Sequence, residues 1–191
     1  WAEFEIDTPG NMETAMAVDI NGDGQLDVLP NIMTAAAWYE YKPDKTAPHG
    51  ATWQKHALPQ NAAGHGLGSG DVNNDGRCDV VTPKGWLQQT TDGAWTWRPE
   101  FDLGYASIPI LVADVDGDED SDLIWGLGHN YGVFWMEQTS TDSGRRQWTK
   151  HEIDDAWSQP HFLLLADLNN DGQNELVTGK RYHAHNGHDP G

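Results

Sequence analysis

The fold is decided by the stretch Asp19-Ile20-Asn21-Gly22-Asp23-Gly24-Gln25-Leu26-Asp27, an aspartate-rich motif that recurs with starts at Asp71, Asp114 and Asp167. Every copy places side-chain oxygens at its first, third, fifth and ninth positions, and three copies carry glycine at the sixth. Glycine tolerates the positive φ that a tight loop needs at such a position. Alternate oxygens on a short curled loop can surround a hard cation such as Ca²⁺. The motif therefore predicts four calcium-binding loops.

The predicted calcium ligands are the oxygen-bearing residues at those four positions of each copy. They are Asp19, Asn21, Asp23 and Asp27; Asp71, Asn73, Asp75 and Asp79; Asp114, Asp116, Asp118 and Asp122; and Asp167, Asn169, Asp171 and Glu175. The third copy has Glu119 where glycine is expected, and the fourth ends in Glu175 instead of aspartate. An Asp/Asn/Gly-rich turn that holds no ion is the alternative interpretation.

The loops differ from the EF-hand, which closes with a bidentate glutamate at position twelve. Position twelve here is Pro30, Thr82, Trp125 and Thr178. The flanks also have the length and composition of short strands, as at residues 15–18 and 28–29 around the first loop. The repeating unit is therefore predicted to be strand, calcium loop, strand.

The repeat extends beyond the loop. The copies begin at residues 19, 71, 114 and 167, so successive starts are 52, 43 and 53 residues apart. A tryptophan-bearing strand follows each of the first three loops, at Trp38, Trp86 and Trp135. A second tryptophan-bearing strand precedes each of the four loops. The preceding strands are predicted at residues 1–6, at 53–58, around Trp95 and Trp97, and at 148–153. Four short strands per unit and no helical period predict an all-β fold, a β-propeller of four-stranded blades.

These units resemble the FG-GAP/VCBS repeats of calcium-binding β-propellers over nearly the whole chain. The resemblance implies one propeller domain over residues 1–191, with blade repeats at about 7–58, 59–101, 102–153 and 154–191. Residues 1–6 would be the outermost strand of a preceding or closing blade. About three and a half blades are present, where the family usually has seven or eight. The sequence is thus expected to be part of a larger propeller; closure with four blades, or self-association with another copy, are alternatives.

Composition limits the partners. Lys plus Arg number 11 against 30 Asp plus Glu, a formal charge of −19. Such an acidic chain is a poor candidate for binding nucleic acid. No apolar run approaches the roughly 20 residues of a membrane span. The single cysteine, Cys78, excludes an internal disulfide framework. Because millimolar calcium outside the cell would keep weak sites filled, we expect a secreted or periplasmic protein.

A second constellation is predicted on the face opposite the loops. The residues six positions before each loop are Glu13, His65, Ile108 and His161, which should ring the propeller axis there. Turns after the second strand of a blade add His129, His183 and His185. Imidazoles together with a carboxylate suit Zn²⁺ or another divalent transition metal. Histidine is also a common turn residue, so a purely structural role for each is the alternative.

Three short segments within this constellation, residues 64–68, 125–132 and 178–187, resemble the propeller domain of aldos-2-ulose dehydratase and its bacterial relatives. That family implies elimination of water from a keto-sugar at a metal centre on the open face of the propeller. By this resemblance the candidate metal ligands are His65, His129, His161, His183 and His185.

The predicted chemistry is a metal-assisted β-elimination on a carbohydrate. A histidine that is not bound to metal (His65, His129 or His161), or Tyr131 or Tyr182, would remove the proton. Lys84, Lys180 and Arg181 would orient the substrate. Two other functions remain open: a non-catalytic extracellular module that binds glycan or protein in a calcium-dependent way, and a structural fragment whose function lies in further blades.

Overall fold

The computed structural model describes residues 3–140, 145–181 and 187–189. Within these ranges the chain forms fourteen β-strands and two 3-10 turns, at Pro48–Gly50 and Gln60–Ala62. The strands are β1 (Met12–Val18), β2 (Asp27–Ile32), β3 (Ala37–Pro43), β4 (Ala51–Ala57), β5 (Gly68–Gly70), β6 (Asp79–Thr82), β7 (Gly85–Gln89), β8 (Trp95–Arg98), β9 (Leu111–Ala113), β10 (Asp122–Gly126), β11 (Tyr131–Ser140), β12 (Arg146–Ser158), β13 (Pro160–Ala166) and β14 (Glu175–Lys180). The prediction of an all-β chain is confirmed. No helix in the described ranges has the length and apolar character needed to cross a bilayer.

The strands form four antiparallel sheets in which neighbours along the chain are neighbours in space. Sheets 1, 2 and 3 have four strands each, in the orders β1-β2-β3-β4, β5-β6-β7-β8 and β9-β10-β11-β12, and sheet 4 pairs β13 with β14.

The strand predicted over residues 1–6 does not form at residues 3–6. A strand needs a ladder partner for its backbone groups; the segment is instead anchored by Asp7, whose carboxylate accepts hydrogen bonds from the Tyr39 hydroxyl and the Lys55 ammonium.

Each aspartate loop is the turn that joins the first two strands of a sheet. In sheet 1 the residues Val18 and Asp27 are paired across the strands, directly before and at the end of the loop. The equivalent closing pairs are Gly70 with Asp79, Ala113 with Asp122, and Ala166 with Glu175. All four loops therefore sit at the carboxyl ends of the first strands.

The core lies between successive sheets. Sheets 1 and 2 bury Ile20, Leu29, Trp38, Val80 and Leu87 against each other. Sheets 2 and 3 share a second cluster around Trp86 and Trp125, both of which have at most 1% of their surface exposed. A smaller cluster formed by Ile124, Val133 and Leu163 joins sheet 3 to sheet 4. Tryptophan at a repeated strand position therefore serves packing between sheets.

Two kinds of contact hold neighbouring sheets in register. Gly68 of β5 forms a parallel bridge with Ile110, and a Cβ at Gly68 would lie 2.0 Å from the Ile110 carbonyl oxygen. Only glycine allows so close an approach. At the loop end, the buried Gln89 side chain donates to the Ile20 carbonyl of the preceding sheet at 3.1 Å, and Gln138 donates to the Val72 carbonyl at 3.1 Å.

Candidate functional site

Four side chains with metal-ligand chemistry meet at the end of the first strands that lies away from the aspartate loops. Glu13 begins β1, His65 precedes β5, and His161 begins β13. His129 follows β10, which runs antiparallel to β9 and so ends at the same side. One ligand atom from each of the four lies within 4.8 Å of those of the others. We call this group, Glu13, His65, His129 and His161, the imidazole cluster.

The distances within the imidazole cluster are those of hydrogen-bonding or coordinating groups. Nε2 of His65 lies 3.0 Å from Oε2 of Glu13 and 3.1 Å from Nε2 of His129. Nε2 of His161 lies 3.8 Å from the same Glu13 oxygen. The three ring centroids are 4.9, 5.5 and 5.6 Å apart. Three imidazole nitrogens and one carboxylate thus converge on a common space.

Outer hydrogen bonds orient two of the rings. Nδ1 of His65 lies 3.1 Å from the Ala106 carbonyl, which can only accept, so Nδ1 donates to it. Nδ1 of His129 lies 3.0 Å from the Asp189 carboxylate and 2.8 Å from the Arg181 guanidinium, which itself bonds Asp189 at 2.8 Å. Because the guanidinium can only donate and the carboxylate can only accept, these contacts orient the ring of His129 without selecting its tautomer. Its Nε2 faces Nε2 of His65.

The third ring, His161, has a buried Nε2 with no hydrogen-bond partner in the described part of the chain. Burial, and then the nearby positive charge of Arg181, lower the pKa of His161 to about 4, against the opposing effect of Glu13. The imidazole is therefore neutral at neutral pH and presents a lone pair. A set of three imidazoles and one carboxylate in this electron-rich arrangement fits a divalent transition metal.

Glycines make room for the imidazole cluster. A Cβ at Gly128 would lie 2.5 Å from Oγ of Ser107 and 2.6 Å from Cδ2 of His161. Gly66 combines a φ of +90° with an approach that would put a Cβ 2.5 Å from the Ala106 carbonyl, the group that orients His65. The glycines beside the predicted histidines are therefore required sterically, because a side chain at either position would collide with the groups that form or orient the imidazole cluster.

A cavity of about 510 Å³ opens beside the imidazole cluster, between β1 and β13. Its lining consists of Glu13, Thr14, Ala15, Met16, Ile108, Pro109, His161, Phe162, Gly179, Lys180 and Arg181. Lys180 and Arg181 thus lie where the sequence predicts a substrate contact. Lys84 does not line this cavity; its ammonium bonds both oxygens of Asp102 at 2.7 Å.

The other predicted site residues have different outcomes. Tyr131 begins β11 with 42% of its surface exposed and is not part of the imidazole cluster. Tyr182, His183 and His185 lie outside the described residues. The sequence analysis missed Asp189 and the Ala106 carbonyl, because no spacing rule links either to the histidines it orients. It also missed Phe162, whose ring, 55% exposed, lines the cavity next to His161 in the chain.

The aspartate loops hold their predicted ligands in compact turns. The carboxylate of Asp19 accepts hydrogen bonds from the amides of Gly22, Asp23 and Gly24, at 2.8 to 3.1 Å. In the third loop, carboxylate oxygens of Asp114, Asp116 and Asp122 lie within 4.8 Å of one another and can hold a metal ion. Converging oxygen ligands of this kind suit a hard cation.

The ninth-position carboxylates also fasten each loop to its sheet. Asp79 accepts from the amide of Val72 in the loop at 3.0 Å and from the amide of Gln89 in the third strand at 2.8 Å. Asp27 and Asp122 make the equivalent pairs of bonds. Burial, opposed by these amides, raises the pKa of Asp79 to about 7 and that of Asp122 to about 6. In sheet 4 the half-buried Glu175 accepts from the amide of Leu168 and from the Asn169 side chain instead.

In comparisons with known proteins, no family model matches the chain, and no curated protein matches it significantly.

Proposed function

We propose that the protein is a calcium-stabilised β-propeller, or part of one, whose imidazole cluster binds a divalent transition metal and acts as a carbon–oxygen lyase on a carbohydrate. One observation carries the proposal. Three imidazoles and a carboxylate from four separate elements converge within 4.8 Å, and one of the nitrogens, Nε2 of His161, is buried without a hydrogen-bond partner in the described chain. Side chains that serve only packing do not need to present unsatisfied lone pairs to one another.

The propeller interpretation is supported by the arrangement of the sheets. Three four-stranded meanders follow one another, each buries its face against the next, and β9 contacts both β5 and β13. In a propeller the first strand of each blade lines the axis, so loops of one kind gather on one face and the site on the other. Sheet 4 then corresponds to the first half of a further blade.

Calcium binding by the loops is supported by the oxygen-rich turns and by the raised pKa of Asp79 and Asp122. A carboxylate that is buried with only amide donors is costly to ionise, and a bound cation would offset that cost. Millimolar calcium outside the cell fits weak sites of this type, which supports a secreted or periplasmic location.

The residues of the imidazole cluster have distinct roles in an elimination. A bound divalent metal would act as a Lewis acid that polarises a carbonyl and makes the adjacent C–H more acidic. His129 would accept that proton, because its contact with Asp189 orients the ring. The C–H electron pair would become a C=C bond as the C–O bond on the next carbon breaks, and the His129 imidazolium would return the proton to the departing hydroxide, which leaves as water. Glu13, His65 and His161 would hold the metal.

Elemental analysis of the purified protein, after dialysis against buffer containing calcium and zinc, tests the proposal. We expect several equivalents of calcium and about one of transition metal in the wild type. The transition metal should be lost in His65→Ala and His161→Ala, with calcium retained. His151→Ala is the matched control, because His151 also bonds a carboxylate, Glu137 at 2.6 Å, but lies outside the cluster.

Sugar-elimination assays, followed by the absorbance of the enone product, then test the activity of the loaded protein. Calcium without transition metal would contradict the lyase proposal and favour the calcium-dependent glycan- or protein-binding module. Transition metal that survives both cluster substitutions would contradict the assignment of the ligands.

A further inference from the structure

The cavity beside the imidazole cluster has an uneven distribution of charge. Lys180 and Arg181 line it in a chain whose formal charge is −19. Among the described lining residues the one carboxylate is Glu13, which belongs to the imidazole cluster and would be neutralised by a bound cation. Because Asp189 already pairs with Arg181 at 2.8 Å, Lys180 supplies the uncompensated positive charge at this wall.

The two cations differ in how far they are already engaged. The Arg181 guanidinium bonds Asp189 at 2.8 Å and the Gly128 carbonyl at 3.3 Å, and its buried Nε has no hydrogen-bond partner within the described chain. Lys180 is exposed, and its ammonium makes no ion pair in the same ranges. By contrast, the exposed Lys84 is paired with Asp102. Lys180 is thus the group available to an anionic ligand.

Apolar side chains form another part of the wall. Met16, Ile108, Pro109 and Phe162 contribute to the lining, and the Phe162 ring is 55% exposed. An exposed aromatic face beside polar groups suits a ring that has an apolar C–H face and a polar rim, as sugars have. The volume of about 510 Å³ falls in the range of roughly 300–1,000 Å³ found for small-molecule pockets.

We propose that this cavity binds a sugar acid, with its carboxylate at Lys180 and Arg181, its ring against Phe162, and a hydroxyl or carbonyl oxygen toward the imidazole cluster. The inference rests on the proposed function for the choice of a sugar as ligand, and it adds that the substrate is anionic. An acidic sugar also explains why the cavity places cations next to a site for a metal. A carboxylate on the substrate would acidify the neighbouring C–H once its charge is neutralised.

Calorimetric titration of the metal-loaded full chain with sodium D-galacturonate and with D-galactose tests the inference. The two sugars have the same ring hydroxyls and differ at the C6 carboxylate. We expect galacturonate to bind at least about tenfold more tightly, in line with the value of a charge-assisted hydrogen bond. The preference should weaken as salt concentration rises.

The variants Lys180→Met and Lys45→Met provide the matched pair, since both residues are exposed lysines and Lys45 lies outside the cavity. Lys180→Met should reduce the preference for galacturonate about tenfold, and Lys45→Met should leave it unchanged. Equal affinity for the two sugars, or an unaltered preference in Lys180→Met, would overturn the inference.

Metal content, measured on the same samples, separates this inference from the proposed function. Preference for galacturonate in protein that takes up no transition metal would support an anion-binding pocket and contradict the metal-dependent lyase. Bound transition metal without a preference for galacturonate would support the metal site of the proposed function and contradict the anion-binding pocket.

Discussion

The two ends of the first strands are built on opposite principles. At one end, each aspartate loop draws its ligands from nine consecutive residues, and Asp79 reaches its loop partner Val72 only seven residues away. At the other end, the imidazole cluster joins residues that are far apart in the chain, such as His65 and His129, 64 residues apart. The loops are repeated and each takes its predicted ligands from its own nine residues, whereas the cluster occurs once in the described part of the chain and depends on how the sheets are placed.

This difference suggests that the loops serve the stability of the fold and that the imidazole cluster serves its chemistry. A local loop can be copied with its sheet, and the same carboxylate that is a predicted cation ligand also fastens the hairpin. A cluster assembled across sheets cannot be copied, and each contributor is free to differ, as Glu13 differs from His65 and His161 at matching positions before their loops. We therefore expect cation binding at the loops to control unfolding and cation binding at the imidazole cluster to control reactivity.

Removal of calcium should produce the largest effect. A site filled at 100 times its dissociation constant stabilises a protein by about 2.7 kcal/mol, so several loops together contribute more than about 5 kcal/mol. Excess chelator should lower the melting temperature by about 10 °C or more, and added calcium should restore it. Zinc added to the chelator-free apo protein at one equivalent should change the melting temperature much less. A melting curve that chelator leaves unchanged would break the comparison.

Within the loops, Asp79→Ala should cost far more stability than Glu175→Ala. Asp79 is fully buried, and its loss leaves the amides of Val72 and Gln89 without an acceptor, a cost of about 2–4 kcal/mol. Glu175 is only half-buried and bonds one backbone amide and the Asn169 side chain, both of which water can reach after the substitution, so the cost there should be below about 1 kcal/mol. Urea denaturation in calcium buffer measures both, and equal losses would show that sheet 4 is fastened as firmly as sheet 2.

The buried His161 of the imidazole cluster should make the free energy of unfolding depend on pH. Because the pKa of His161 falls to about 4 in the folded protein, the unfolded chain, with an ordinary value of about 6.5, binds the proton more readily between these two values. Stability contributed by neutral His161 is therefore present above pH 6.5 and is lost as pH falls toward 4. Between pH 7.5 and 4.5 the loss should be about 2 kcal/mol in metal-free buffer. His161→Gln should lack this component, so the gap between the two proteins should change with pH; a constant gap would contradict the buried, neutral ring.

The smallest effect should come from Glu119→Gly in the third loop. Glu119 has a φ of +73°, in the region where the other loops place Gly24, Gly76 and Gly172. A left-handed conformation costs a side-chain-bearing residue roughly 1 kcal/mol, which glycine avoids. We expect stabilisation of about 0.5–1 kcal/mol in chemical denaturation, whereas Glu13→Gly, outside any such turn, should bring no gain. Destabilisation by Glu119→Gly would indicate that the Glu119 side chain takes part in the loop.

The sequence predicted the local features well because they are encoded locally. The loop spacing and the alternating short apolar runs determine where hairpins turn, so the all-β chain and the position of each loop were accessible. The register of Glu13, His65 and His161, six residues before their loops, was accessible for the same reason. His129 was placed correctly only because it follows a strand that must return to the same end.

Other features could not be predicted, because they depend on distances that no spacing encodes. The carboxylate of Asp189 reaches His129 across 60 residues, and nothing in the local pattern of residues 187–189 marks it as an orienting group. The pairing of Lys84 with Asp102 is likewise a contact that no spacing in the sequence encodes. The failure of residues 3–6 to form a strand has the same origin, since a strand is determined by its partner and not by its own composition.

The hydrogen bonds from Gln89 and Gln138 to the preceding sheet bear on the order in which the loops are completed during synthesis. The loop carbonyl of Ile20 receives its donor from a residue 69 positions later, and that of Val72 from one 66 positions later. We therefore expect sheets 1 and 2 to form their own ladders early during synthesis and to complete the hydrogen bonding of their loops only when the third strand of the next sheet has emerged. Completion of these two loops should then lag synthesis by about one repeat.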